Sequence, residues 1–588
     1  MKKSPALHLT VLGVWLALMG LFWAFFGGEL AGLDRTAPLF PLTFALLLLT
    51  GLFLSWFWLN GVKDFVYVIW TFAFRRRMLR RYRRVLCAKL TARPRVVLAY
   101  CTCNDFDGDS LEKSMKQDYD NFETLILDDS SDPAFREEVD AFAAAHGVRV
   151  IRRENREGFK AGNINHAMLG REDYDFLVIL DSDEILPPYF IEESLKYFQT
   201  LPDLGILQAN HLSTRNRTRF METFHIGVNS HWPNSQTTKN FYGFASMLGH
   251  GAMISRACYQ ACGGFPQVVA EDLCLSIEAK KQGFSTVFAP NILCEEEYPI
   301  DYAAFRKRHS KWTQGNLEFI KRYTWKILRS PMKWYEKADI FLFTYNLPLT
   351  AVFTLFLLIN IAALPLLSYR LNYPLWMMIP TGAFFLSPML NDVFTYLGRL
   401  NFFRLVKYLF LCFCLYGSMF YVSFTASLLG MFGKKAVFVV TPKNAERMRF
   451  FQALRLCKKE LLFALGLCAL AALCAGTLWA VSSVAVIAAT SLSSPFLLLT
   501  GSRPADPALS LTPSRVVLRG DRAVLAPTGR NPACRKNDFL LRLEGPGRGR
   551  EKSFYRSPED FRDEEIFSGQ EAFPGQTQNS PEANFGRT

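Results

Sequence analysis

No pair of cysteines in this chain has the C-x-x-C spacing of a structural zinc site. Its thirteen cysteines are scattered. Cys101 and Cys103 stand C-x-C and Cys258 and Cys262 lie four apart, so reduced thiols are the expectation. Nor does a small-residue cleavage site follow the first apolar run, residues 11–26. A second run, 41–59, comes after a short loop, which argues against a removed signal peptide. A separate basic domain is also lacking, although the formal net charge is +14. The basic clusters abut apolar runs instead, and this sets nucleic-acid binding aside.

Half of the 588 residues are hydrophobic, and they come in blocks. After a long mixed region, apolar runs return at 346–367, 375–390, 402–432 and 461–499. About 20 apolar residues cross a bilayer core, so the pattern predicts a polytopic α-helical membrane protein. "RRRMLRRYRR" (75–84) follows the second run, and 434–459 is again rich in Lys and Arg. Positive flanks stay on the cytoplasmic face, which puts the N-terminus, the central region and "KKAVFVVTPKN" (434–444) there.

Between residues 95 and 323 strands and helices alternate. "RVVLAYCTC", "NFETLILDD", "VRVI" and "YDFLVILDSD" read as strands. "PAFREEVDAFAAAHG" and "AGNINHAML" read as helices. Such alternation predicts a mostly parallel sheet with helices on both faces, and ligands bind at the carboxyl ends of its strands. The polar clusters gather at those ends: Asn104 and Asp105, Asp128 and Asp129, Asp181 and Asp183.

Asp181 and Asp183, one residue apart after an apolar strand, can turn two hard oxygen donors on Mg²⁺ or Mn²⁺. The same pattern also serves as an ordinary acidic turn. Glu271 and Asp272 open a helix that ends at Gly283. The helix dipole favours carboxylates there, and Asp272 has the chemistry of a general base. In "RKRHSKWTQGN" (306–316), Arg308 and Lys311 offer cations to a phosphate while Trp312 offers a flat face to a sugar. An amphipathic helix skirting a membrane explains that stretch equally well.

Taken in order, these motifs resemble the processive family 2 glycosyltransferases, the group of cellulose, hyaluronan and related glucan synthases. The matching positions are Asn104-Asp105, Asp128-Asp129, Lys160-Ala161-Gly162-Asn163, Asp181-Ser182-Asp183, Glu271-Asp272 and Arg308 to Trp312. Two departures stand out: R-x-x-K-W where cellulose synthases have Q-x-x-R-W, and Glu184 where they often have His. "GHGAMISR" (249–256) is closer to a Gly-His motif of other bacterial glucan synthases.

The resemblance implies a cytosolic GT-A-type, Rossmann-like α/β domain. It also implies a nucleotide-sugar donor, a growing polysaccharide acceptor, and inverting transfer with Asp272 as base beside Glu271. Asp181 and Asp183 would hold the metal. Asn104, Asp105, Asp128, Asp129, Lys160, Arg308, Lys311 and Trp312 would contact substrates. A gating loop, F-x-V-T-x-K in that group, reads Phe438 to Lys443 here, with Thr441 and Lys443 near the diphosphate. The implied organisation is a transmembrane pair (1–74), the transferase domain (75–330), further interfacial and transmembrane helices including the loop 434–445 (331–500), and a tail (501–588).

The expected location is the inner (plasma) membrane, multi-pass and catalytic side in, with periplasmic or accessory export subunits as candidate partners. The expected product is a β-linked glucan from UDP-glucose. A cytosolic loop requires an even number of crossings between the domain and residue 434, so one of the three apolar runs there does not cross. The tail is rich in Pro, Gly, Arg and Ser, which predicts disorder, and it holds no recognisable cyclic-dinucleotide motif. Two other readings remain open: transfer of one sugar to a lipid or polyprenyl phosphate, and a transporter with a nucleotide-binding regulatory domain.

Overall fold

The computed structural model describes residues 2–346, 348–371, 373–433, 448–474 and 482–504, and the backbone of 515–519 and 522–526. Its centre is a seven-stranded sheet in the order β3-β2-β1-β4-β6-β5-β7. The strands are β1 (Val96–Thr102), β2 (Phe122–Asp128), β3 (Arg149–Ile151), β4 (Phe176–Asp181), β5 (Leu204–Ser213), β6 (Ala252–Ser255) and β7 (Ser285–Glu296). All run parallel except β6, which pairs antiparallel with β4 and with β5. The expected mostly parallel sheet is present, made mixed by that one strand.

Strand side chains alternate between faces, and the apolar runs are continuous because both faces are covered. Val96, Leu98 and Tyr100 of β1 join one core with Val178 and Leu180 of β4. Their neighbours Val97, Ala99 and Cys101 join the opposite core with Leu177 and Ile179. Local chemistry sets the helix ends. Asp132 caps the helix Pro133–His146, and Gly147, at φ 64°, stops it. A left-handed residue costs glycine little, which is why it closes helices.

Eleven helices frame the site and the apolar region: α1 (Ala6–Ala31), α2 (Phe40–Arg80), α3 (Phe159–Met168), α4 (Arg219–Tyr242), α5 (Glu271–Lys281), α6 (Tyr302–Arg329), α7 (Trp334–Thr344), α8 (Leu349–Leu358), α9 (Met378–Tyr396), α10 (Phe402–Ser418) and α11 (Phe420–Met431). By length and composition, five described stretches can cross a membrane: Ala6–Ala31, Phe40–Leu86, Leu349–Leu366, Phe402–Met431 and Val484–Gly501.

Two of those stretches fall between the sheet and residue 433, an even number. The packing adds detail. α9 lies along α2 in the same direction, with Phe57 5.4 Å from Phe384 and Phe72 5.3 Å from Phe394. α10 and α11 follow the helices that leave the sheet. The Tyr302 hydroxyl on α6 donates to Ser418 at 3.1 Å, and His309 meets Ser423 at 2.6 Å. Lys321 donates to the Gly430 carbonyl at 2.6 Å. Further on, Arg306 pairs with Glu460 at 2.8 Å. The chain on either side of residues 434–447 is therefore tied to α6. In the tail, the backbone of Arg515–Arg519 pairs antiparallel with Arg522–Ala526.

Candidate functional site

The strand order reverses between β1 and β4, and Cys101 lies in register with Asp181 at the carboxyl ends. A crevice opens at such a point. Here it is a cavity of about 600 Å³, lined by Asp105, Asp129, Lys160, Asp181, Asp183, Glu271, Asp272, Arg308, Lys311 and Trp312 among others. Motifs spread over two hundred residues of sequence thus share one space.

The β1 loop braces the D-x-D turn. Asp105 accepts from the Cys103 N–H at 2.7 Å and from the Thr102 hydroxyl at 3.0 Å. Its other oxygen accepts from the Ser182 hydroxyl at 2.7 Å, in the middle of Asp181-Ser182-Asp183. Asn104, at φ 59°, is used otherwise. Its side chain accepts from the Ser131 and Asp132 N–H groups at 2.9 and 3.0 Å, and it does not line the cavity. Asp128 is likewise outside the lining, held by Arg152 at 2.7 Å and by the Ser130 N–H at 2.8 Å. Asp129 does line it, gripped by Arg153 at 2.6 and 2.8 Å.

Lys160 opens α3, and Gly162 explains the glycine of Lys160-Ala161-Gly162-Asn163. A Cβ there would come 1.9 Å from the Glu157 carbonyl oxygen and 2.6 Å from Arg153, so only glycine fits. Lys160 donates to Asp181 and, at 2.9 Å, to the Gly249 carbonyl. Burial alone would raise the Asp181 pKa, but Lys160 and then His250 outweigh it and hold the carboxyl well below its ordinary value. Lys160 itself is pushed up, because Asp181 more than offsets its burial.

Glu271 and Asp272 form the first turn of α5. Burial, then the adjacent Asp272 carboxylate, push Glu271 up to about 7. Burial also raises Asp272, against a 2.7 Å hydrogen bond from the Leu273 N–H. On α6, Arg308, Lys311, Trp312 and Gly315 face the cavity at helical spacing, while buried His309 turns to α11. Arg308 lies 4.5 Å from the Trp312 ring centre and 5.0 Å from that of Tyr298. Trp312 keeps 43% of its surface exposed.

Two residues escaped the sequence motifs, His211 and Glu296, and they meet Glu184 and His250, which the sequence singled out without giving them a place in the site. The His250 Nδ1 lies 3.1 Å from Glu184, and its Nε2 lies 3.5 Å from Glu296 and 3.9 Å from Asp181. Burial would lower His250, but Glu184 and Asp181 push it up to about 10. His211 is held well below its ordinary value by burial and by charged His250. Burial raises Glu296 to about 7, against the pull of His250 and Arg308. Glu184, His211 and His250 approach closely enough to share an ion. Their imidazoles, however, stack 4.3 Å apart and 3° from parallel, so the in-plane lone pairs do not converge on one point. His250 carries a visible signal, the Gly-His segment. His211 carries a weaker one, a polar residue inside the fully buried strand β5. Phe438, Thr441 and Lys443 lie outside the described residues.

The model for "Glycosyl transferase family group 2" matches residues 176–492, from the first residue of β4 onward. A probable glucomannan 4-beta-mannosyltransferase 15 of Arabidopsis thaliana is 28% identical over 222 residues, which are 35% of this chain and 40% of that protein. The chain therefore spans less than half of that relative. Among solved structures, mannosyltransferase PcManGT from Pyrobaculum calidifontis, in complex with GDP-Man and Mn2+, has a TM-score of 0.42 and 16% identity over 64% of this chain and 100% of that one. S. aureus TarS 1-349 has a TM-score of 0.29 and 13% identity over 60% of this chain and 95% of that one. With more than half of its length matched by the family model, and a mixed α/β domain of GT-A type among its apolar helices, the chain belongs to glycosyl transferase family group 2.

Proposed function

We propose that this chain is a processive, inverting hexosyltransferase. It would polymerise a nucleotide sugar into a β-linked polysaccharide and pass the product across the inner membrane. The observation that carries the reading is the meeting, in one cavity, of Asp181 and Asp183 with Lys160, Glu271-Asp272 and the Lys311-Trp312 face of α6.

In this reading the acceptor hydroxyl attacks the anomeric carbon as Asp272 takes its proton. A buried carboxylate with a raised pKa is a stronger base than an exposed one. Lys160 and Lys311 face the departing nucleoside diphosphate and offset its charge. Trp312, half exposed, offers the acceptor a stacking face. Asp129, locked by Arg153, stands at the nucleotide end.

Asp181 and Asp183 suit Mg²⁺ or Mn²⁺. Both are hard oxygen donors lining the cavity, and Asp181 already draws Lys160 and His250 to it. Such an ion, when bound, neutralises charge on the leaving diphosphate. Both flanks of residues 434–447 attach to α6 on the side of the catalytic domain, and their Lys and Arg favour the cytoplasmic face for that side. In this reading Asn104 and Asp128 brace the loop from outside the cavity lining.

UDP-glucose is the first donor to test. The Arabidopsis relative's name favours a mannosyl donor as the second reading. The experiment is incubation of purified chain with radiolabelled UDP-glucose, GDP-mannose and other nucleotide sugars, followed by linkage-specific hydrolases. A long β-linked polymer from one donor is the expected result. Addition of a single sugar to a lipid acceptor would overturn processivity.

A further inference from the structure

Away from the catalytic cavity, a second recess of about 140 Å³ lies where the N-terminal residues meet α5 and α7. Lys2, Lys3, Lys280 and Lys333 line it against the carboxylates of Asp203 and Glu336, a surplus of two positive charges. Glu336 is already engaged. It is 1% exposed, with Lys3 at 2.8 Å and Lys280 at 3.5 Å. Among the described residues, Lys2 and Lys333 form no ion pair with a carboxylate.

Tyr335 lines the same recess. It is only 3% exposed, yet its hydroxyl has no hydrogen-bond partner among the described residues. A buried hydroxyl without a partner is costly, so it points to a missing acceptor. Burial, and then the Glu336 carboxylate, raise the Tyr335 pKa, which keeps the group a donor.

The position says which acceptor fits. α1, long and apolar enough to cross a membrane, begins at Ala6, just after Lys2 and Lys3. Its His8 packs against Trp334 of α7, with ring centres 6.5 Å apart. Trp334 itself is 49% exposed, and Trp325 on α6 is 67% exposed. Aromatics and lysines beside the start of a span mark the headgroup layer. Basic recesses at that depth hold anionic headgroups.

We propose that this recess binds the phosphate group of an anionic membrane lipid, with the Tyr335 hydroxyl donating to a phosphate oxygen and Lys2 and Lys333 supplying the charge. The inference does not depend on which sugar the enzyme transfers.

The test is native mass spectrometry of the full chain in detergent, with phosphatidylglycerol or phosphatidylcholine added at equal concentration. A separate arm measures thermal protection by millimolar inorganic phosphate. Wild type is expected to retain phosphatidylglycerol about tenfold better than phosphatidylcholine. Tyr335→Phe, which removes only the hydroxyl, is expected to lower that retention about five- to tenfold. The double variant Lys2→Glu/Lys333→Glu is expected to abolish the preference. In lipid-free detergent, Tyr335→Phe keeps or raises the melting temperature, which shows that the fold survives. Equal retention of the two lipids by wild type, or unchanged retention in both variants, overturns the proposal. Protection by inorganic phosphate that Tyr335→Phe loses, without any lipid preference, overturns the lipid as the source of the phosphate.

Discussion

Replacing Arg153 with alanine is expected to loosen the Asp129 end of the cavity. Its guanidinium holds Asp129 with bonds of 2.8 and 2.6 Å and also donates to the carbonyls of Glu157 and Phe159 at 2.6 and 2.7 Å. The side chains of the ion pair are only 7% and 6% exposed. Removing one partner of such a pair strands a buried charge and costs about 3–5 kcal/mol. For a sheet region of about 200 residues, roughly 2–4 °C is lost per kcal/mol, so the melting temperature falls by roughly 6 to 20 °C. The assay is tryptophan fluorescence on heating of the purified full chain, with and without a nucleoside diphosphate. Adding Asp129→Asn to Arg153→Ala removes the stranded charge and is expected to restore about half of the loss. A fall of less than about 2 °C for Arg153→Ala, or strictly additive single and double variants, would refute the reasoning.

Three further outcomes follow from the same geometry. Trp312→Ala is expected to shorten the product while initial donor turnover falls less than about tenfold, because in the proposed reading its stacking face holds the acceptor and not the donor. Product-length gels check this, and full-length polymer from the variant would count against it. Excess chelator is expected to stop transfer, and added Mg²⁺ or Mn²⁺ to restore it; undiminished activity in chelator would remove the metal role of Asp181 and Asp183. The third outcome concerns pH. Glu271 and Glu296 are raised to about 7 and His250 to about 10, so the folded state holds each proton more tightly than the unfolded chain does. The stability each contributes is complete below its ordinary pKa and is lost as pH climbs through the raised value. Depressed histidines such as His211 act the other way below their ordinary pKa, so melting temperature declines between about pH 7 and pH 10, and Glu271→Gln flattens the part near neutrality. Depressed carboxylates such as Asp181 act only below that window. A melting temperature that rises with pH across that window would contradict the assignment.

Much of this arrangement was legible in the residues. The strand ending at Asp181 could be read from a continuous apolar run, and Gly147 and Asp132 mark a helix by local chemistry alone. The helical spacing of Arg308, Lys311 and Trp312 likewise put them on one face. What stayed hidden depends on contacts distant in sequence. The antiparallel placement of β6 follows from its pairing with β4 and β5, and no local signal in "AMIS" reveals it. His211 and Glu296 come from strands that meet His250 only in the folded sheet. Asn104 and Asp128 look like ligand groups at strand ends, yet loop backbone and Arg152 consume their oxygens. A side chain's type shows its chemistry, and its neighbours decide whether that chemistry is free to act.

The account rests on Asp272 as the base of a glycosyl transfer that begins in the cavity below Lys160. The most direct measurement is release of nucleoside diphosphate by purified Asp272→Asn beside wild type, with donor affinity measured on both. Donor binding within about threefold of wild type and turnover reduced by at least about a hundredfold are the predicted results. Turnover by Asp272→Asn at the wild-type rate would contradict the account.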